Sequence, residues 1–355
     1  MRLERPCVTK LQLRFEIYRT GIVIIVAILL SLFIIVLVSD MPGLAIKLFL
    51  TGPLDSLRHF GNLVEMVIPL IFTGLAVAVM FTASQFNLGA EGAFFFGAVG
   101  AAFVAVNWNL PPVLHPTVAI IWGGIIGSVF CGIPGALKVR WGSSELVSSL
   151  MFNYVAFFLG LYLINYLLRD VTAGAMVSFP FAHSSRLAKI VPETRIHTGL
   201  FVAIFTVLVM GVFTYRTRWG YRIRVLGTNT EFARYSGINT DWTIVMSQVL
   251  GGFLVGMGGA IELLGMYRRF EWQTLPGYGW TGIIVAILAR NNPFYVPLAA
   301  LFLAYMRIGS DIMSRSTDMP NEFVAIIQGI IIILISASSF LSKQRHKMIV
   351  REAIS

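Results

Sequence analysis

Charge is scarce in this chain. Of 355 residues, 12% are charged and 57% hydrophobic, with 17 acids against 27 Lys and Arg. A soluble domain carries about twice that share of charge. Cysteine is nearly absent. Cys7 lies in a basic leader and Cys131 in an apolar run, which excludes a disulfide framework and a thiolate metal site. The five histidines, His59, His115, His183, His197 and His346, lie outside the apolar runs. None has metal-ligand spacing to another. No G-x-x-x-x-G-K-[ST] loop is present to cradle a nucleotide. The glycine-rich stretches, 123–136 and 251–260, lie inside apolar runs, where small residues let helices approach closely. With no catalytic cluster, the chain is expected to be non-enzymatic and to carry no cofactor or metal.

Apolar length is what the chain has instead. Residues 21–38, GIVIIVAILLSLFIIVLV, form an uncharged run long enough to span a bilayer. No A-x-A-like cleavage site follows, so it reads as a retained first helix. Ten apolar segments lie near 21–38, 63–81, 88–106, 117–137, 145–168, 199–215, 242–263, 279–289, 294–306 and 323–341. The expected fold is an all-α polytopic membrane protein of about ten transmembrane helices. A basic segment 1–20, either a helix lying on the membrane surface or a leader carrying topological charge, precedes a membrane region 21–341, and a tail 342–355 follows. Spans two to five and seven to ten form two blocks of four entered from opposite sides, which permits an inverted repeat.

The net charge of +10 would suit nucleic acid until its distribution is read. With a cytoplasmic N-terminus, the inside segments carry 17 Lys and Arg and the outside segments 10. Acids divide 7 inside and 10 outside, so the whole net charge falls on one side. This bias places both termini in the cytoplasm and directs the charge to topology and lipid, not to nucleic acid.

Two connections exceed what topology requires. Residues 169–198 form a long mixed polar segment on the outer side, with Pro180, Pro192 and two histidines. Long loops tend to serve function, and docking of an external partner is one reading. The inside segment 216–241 is patterned. Asn229 or Thr228 can cap a short helix over 230–236. Glu231 falls in its first turn, where the helix dipole favours an acid. Gly237 can close it in the left-handed conformation. A capped surface helix between spans suggests a contact.

Polar residues inside the spans are costly in lipid and therefore informative. They are Glu91, Asn153, Tyr154, Gln248, Glu262 and Gln328, with Asn87 beside the third span. Together they suggest a bundle with a polar interior. "NLGAEG", 87–92, combines two glycines and a carboxylate at membrane depth. A loosened backbone is tolerated there only beside protein or water. Asn87 can cap the third helix, with Glu91 one turn further in. The segment marks either the cytoplasmic gate of a solute pathway or a helix-packing corner.

"FNLGAEGAFFFGA" (86–98) resembles the signature of ABC-importer permeases for nucleosides and simple sugars, usually F-N-[IL]-G-A-E-G-Q; Ala93 replaces the common Gln. "ELVSSLMFNYVAFFLGLYL" (145–163), "GYRIRVLGTNTEFARYSGIN" (220–239) and "PGYGWTGIIVAILARNNP" (276–293) resemble three further family segments in the same order. Phe232 stands where Ala is common. The resemblance covers roughly 60–340. It implies a fold similar to vitamin B12 importer permeases. It also implies a channel of two permeases, often different chains, in a bacterial cytoplasmic membrane. A cytoplasmic ABC ATPase, which binds the ATP and Mg, and an extracellular or periplasmic solute-binding protein are the implied partners. By analogy 230–236 is the coupling helix, with Asn229, Glu231, Arg234, Tyr235 and Gly237 serving contact with the ATPase. The pathway residues expected on this reading are Asn87, Glu91, Asn153, Tyr154, Gln248 and Gln328.

A neutral nucleoside suits a pathway with few charges. A simple sugar or riboflavin is the alternative solute. An ion-coupled secondary transporter is the rival mechanism. It explains the opposed blocks but leaves the capped helix without a purpose and lacks a buried charge relay. A membrane enzyme would need a catalytic cluster that the sequence does not contain.

Overall fold

The computed structural model describes residues 25–26, 28–320, 325–326 and 329–330. Among them the regular structure is helical, with two isolated β-bridges, Arg169 with Ser178 and Lys189 with His197. The helices are α1 (Ile28–Val38), α2 (Pro42–Thr51), α3 (Leu57–Thr82), α4 (Ala90–Asn107), α5 (Leu114–Trp141), α6 (Glu145–Leu167), α7 (Gly199–Arg216), α8 (Arg218–Thr228), α9 (Thr230–Tyr235), α10 (Thr240–Met266), α11 (Tyr278–Leu288) and α12 (Val296–Ser316).

Seven of the described helices, α3 to α7, α10 and α12, are long and apolar enough to cross a membrane. Segments two to seven of the sequence reading fall on α3 to α7 and α10. The ninth falls on α12, which runs ten residues past the expected end. The Arg315–Asp311 pair at 3.1 Å, one turn apart, lets charge enter the helix without stopping it. The eighth is α11, whose 11 residues reach only about 16 Å at 1.5 Å per residue, short of the hydrocarbon thickness. α2 and α8 were not expected. Of the tenth segment, near 323–341, only 325–326 and 329–330 lie among the described residues; Gln328 falls outside them, as do residues 1–20 and 342–355.

The chain forms two compact units. In the smaller, residues 1–56 and 305–355, Asp318 accepts from Ser39 Oγ and Asp40 N, each at 2.8 Å. There the α2 backbone at Phe49 closes on Gly309, and Tyr305 donates its hydroxyl to Leu50 O.

The larger unit, residues 57–304, is built on α4, α5 and α10. α4 is buried on all sides, from Ala90 to Ala105 with few interruptions. Small residues make this packing possible. A Cβ at Gly97 would lie 2.5 Å from Gly256 Cα, and one at Gly127 would lie 2.3 Å from Gly252 O. Backbones in direct contact gain dispersion energy that lipid cannot match. α4 packs along α10 and α11 packs along α3, so in the consecutive pairs α3–α4 and α10–α11 the second helix of each lies on the first helix of the other. This pairing brings the beginnings of α4 and α11 together.

Candidate functional site

Residues 85–92 are held from one side by α6. Glu145, Ser149 and Asn153 recur every fourth residue, which aligns them on one helical face. Glu145 Oε1 accepts from Phe86 N at 3.4 Å and from Lys138 Nζ at 2.8 Å. Ser149 Oγ accepts from Leu88 N at 2.9 Å. Asn153 Nδ2 donates to Leu88 O at 3.0 Å, and its Oδ1 accepts from Gly92 N at 2.8 Å. The last bond satisfies an amide in the first turn of α4 that has no partner within its own helix. Gly92 allows the approach: a Cβ there would lie 2.6 Å from Asn153 Cα.

Asn87 does not cap α4 as expected. The cap position is Gly89, with no side-chain bond. Asn87 Oδ1 instead accepts from Gly89 N at 2.7 Å, an Asx-type turn. Its Nδ2 donates to Gln248 Oε1 at 2.6 Å and Cys131 O at 3.1 Å, tying the turn to α10 and α5. Gln248 is fully buried, and its Nε2 has no partner among the described residues.

Glu91 is fully buried. Its carboxylate leaves α4 and accepts from Gly277 N at 2.5 Å, Gly279 N at 2.7 Å and Trp280 N at 3.4 Å. These are the free amides that open α11. One carboxylate therefore sits in the first turn of α4 and caps α11. Both dipoles present their positive ends to it, which accounts for an acid in an apolar interior. Gly277 adopts φ +83, and a Cβ at Gly279 would lie 2.3 Å from Glu91 N. The PGYG sequence is thus shaped to fit the NLGAEG sequence.

Of the expected pathway residues, the fold gathers Asn87, Glu91, Asn153 and Gln248, all buried, around the 87–92 turn: Asn87 bonds Gln248, Asn153 bonds the turn's backbone, and Glu91 bonds the amides of α11. Tyr154 stands apart, 62% exposed on the opposite face of α6. Glu262, another of the polar residues inside the spans, is buried and accepts from Tyr278 OH at 3.0 Å. The sequence reading missed Lys138, Glu145, Ser149 and Gln85, whose Oε1 accepts from Lys138 at 2.8 Å. The four-residue spacing in ELVSSLMFN was the available signal.

A second surface is formed by 216–241. Thr217 caps α8, Asn229 caps α9 by accepting from Phe232 N at 2.9 Å, and Asn239 caps α10. Gly237, at φ +78, donates to Arg234 O, and Ile238 N donates to Ala233 O, both at 3.0 Å. These two bonds form a Schellman close. Ala233 is buried, whereas Glu231, Phe232, Arg234 and Tyr235 are exposed. α8 meets the first site. Ser84 Oγ donates to Gly227 O at 2.8 Å, three residues before Asn87.

The 169–198 segment is pinned to the helix ends around it. Phe181 N donates to Arg268 O at 2.8 Å, Ala182 N to Ala105 O at 3.1 Å, and Leu187 N to Leu264 O at 3.1 Å. His115 Nδ1 meets Ser184 Oγ at 2.9 Å. His197 is enclosed, and burial lowers its pKa to about 4, so the ring is neutral at physiological pH.

Residues 60–336 match the family model described as branched-chain amino acid transport system / permease component. The chain is 34% identical to the glucose ABC transporter permease protein TsgB13 of Haloferax volcanii, over 78% of this chain and 76% of that protein. It is 30% identical to the guanosine ABC transporter permease protein NupP of Bacillus subtilis, over 81% and 83%. Identity to the nucleoside ABC transporter permease protein NupB of Lactococcus lactis is 28%, over 80% of each. The match of the family model across the helices that build both surfaces makes this chain a multi-pass membrane protein belonging to that family of ABC transporter permeases.

Proposed function

We propose that this chain is one permease subunit of an ATP-driven importer of nucleosides in a bacterial cytoplasmic membrane. A second, different permease completes the channel on this reading. ATP and Mg are bound and hydrolysed by a cytoplasmic ATPase, and a binding protein delivers solute to the outer face, with 169–198 as its platform. The guanosine and nucleoside names of two relatives support nucleosides first. The glucose name of another supports a simple sugar as the alternative.

The observation that carries the reading is α9. Six residues rarely hold a helix alone, yet this one is capped at both ends. It presents Phe232 at 59% and Tyr235 at 88% exposure. Large exposed side chains on a rigid turn fit a groove in a partner. ATP-driven closure of the ATPase would push α9 and, through Gly227 and Ser84, the 85–92 turn. Glu91, Asn87 and Asn153 then act as the frame that α4 and α11 move with. Tyr154 is the residue offered to solute, as a ring for stacking and a hydroxyl for a base or ribose.

Phe232→Ala with Tyr235→Ala should leave the transporter expressed and lower nucleoside uptake per ATP hydrolysed by about tenfold or more, since two aromatic anchors are lost. Unchanged uptake per ATP would remove α9 from the ATPase contact.

A further inference from the structure

The first cytoplasmic helix of the 216–241 segment, α8, has a face that the coupling reading leaves unused. Arg216, Arg218, Arg222 and Arg224 fall within nine residues, and the chain has no acid between Glu193 and Glu231. Among the described residues none of the four arginines meets a carboxylate. Arg216, Arg218 and Arg222 are exposed, and the buried Nε of Arg224 has no hydrogen-bond partner.

Depth follows from the packing. α7 is long enough to span the bilayer and ends at Arg216. α8 turns back onto that end: a Cβ at Gly220 would lie 2.2 Å from Phe213 O. The buried positions Gly220, Ile223 and Leu226 face the protein. Arg218, Trp219, Tyr221 and Arg222 are left facing out at the end of a span, the level of lipid head groups. Arg222 stacks over Trp219 at 5.0 Å and Arg224 over Tyr215 at 5.4 Å. Stacking preorients each guanidinium while its remaining donors stay open, as bidentate phosphate binding requires.

We infer that the outer face of α8 binds the head groups of anionic phospholipids and holds α8, with α9 attached, at the membrane surface. The aromatic rings occupy the interface, and the arginines take the lipid phosphates. The inference rests on the membrane reading alone and is independent of the solute carried.

The test uses the full chain, with whatever subunits co-purify, in phosphatidylcholine vesicles. Electron spin resonance measures the association of spin-labelled phosphatidylglycerol relative to spin-labelled phosphatidylcholine. The wild type should prefer phosphatidylglycerol. Arg218→Gln with Arg222→Gln should lower that preference at the α8 sites by about fivefold per arginine, the contribution of one basic residue near an anionic surface. Arg222→Gln alone should give the smaller loss, and Arg218→Lys with Arg222→Lys should retain most of the preference. Preference equal to wild type in both Gln variants would overturn the inference. So would loss of wild-type preference in millimolar inorganic phosphate, which would mark a site for the free ion. Loss of co-purifying protein with lipid preference intact would assign the arginines to a protein partner instead.

Discussion

Glu91 carries the strongest physical constraint at the scale of single residues. A carboxylate with no solvent exposure must be matched by donors, and its donors are the opening amides of α11. Glu91→Gln keeps the size, removes the charge and turns an amide group toward donors it cannot satisfy. The variant should lose about 1–3 kcal/mol of stability. It should also lose hydrogen-exchange protection at the Gly279 and Trp280 amides, with the amides of α7 unchanged. Equal protection at 279–280 would contradict the capping role. The sequence announced the anomaly but not its resolution. An acid beside two glycines was conspicuous, yet its partner lies 186 residues away, and nothing local connects them. Asn87 shows the same limit. A polar residue three before Ala90 looked like a cap, and only the three-dimensional arrangement shows it serving Gly89, Gln248 and Cys131.

Short helices divide into those whose causes are local and those whose causes are not. α9 was legible because each of its signals spans three to five residues: Asn229 to Phe232 at one end, Gly237 and Ile238 to Arg234 and Ala233 at the other. Asn229→Ala removes about 1 kcal/mol of capping. Gly237→Ala adds a left-handed penalty of about 1–2 kcal/mol. In a six-residue helix either change is large. Each variant should raise hydrogen exchange across 230–235 and leave α10 protected. A combined variant that exchanges like wild type would show that α9 is held by packing instead of its caps. α8 is not legible when its arginines are read only as topological and lipid-facing charge, which hides the helical pattern of buried Gly220, Ile223 and Leu226. α11 reads as a span because composition reports apolarity, whereas its length is set by the turn at Gly277 before it and the left-handed Arg290 and Asn291 after it.

At the scale of the larger unit, two helix pairs, α3–α4 and α10–α11, exchange contacts. α4 lies on α10 and α11 on α3. Composition alone announced a helical membrane protein, since so few charges leave no soluble alternative. The spans were found by their length. Their order of packing was not, because glycine contacts such as Gly97 with Gly256 depend on which faces meet. The proposed function links this body to an external energy source, an ATPase acting through α9. The most direct test is to purify the chain from its native membrane with its partners, reconstitute the assembly in liposomes with binding protein outside, and measure radiolabelled nucleoside uptake with and without internal ATP. The account predicts a co-purifying ATPase and uptake only with ATP. A chain that purifies alone and moves nucleoside without ATP, on an ion gradient, would contradict it.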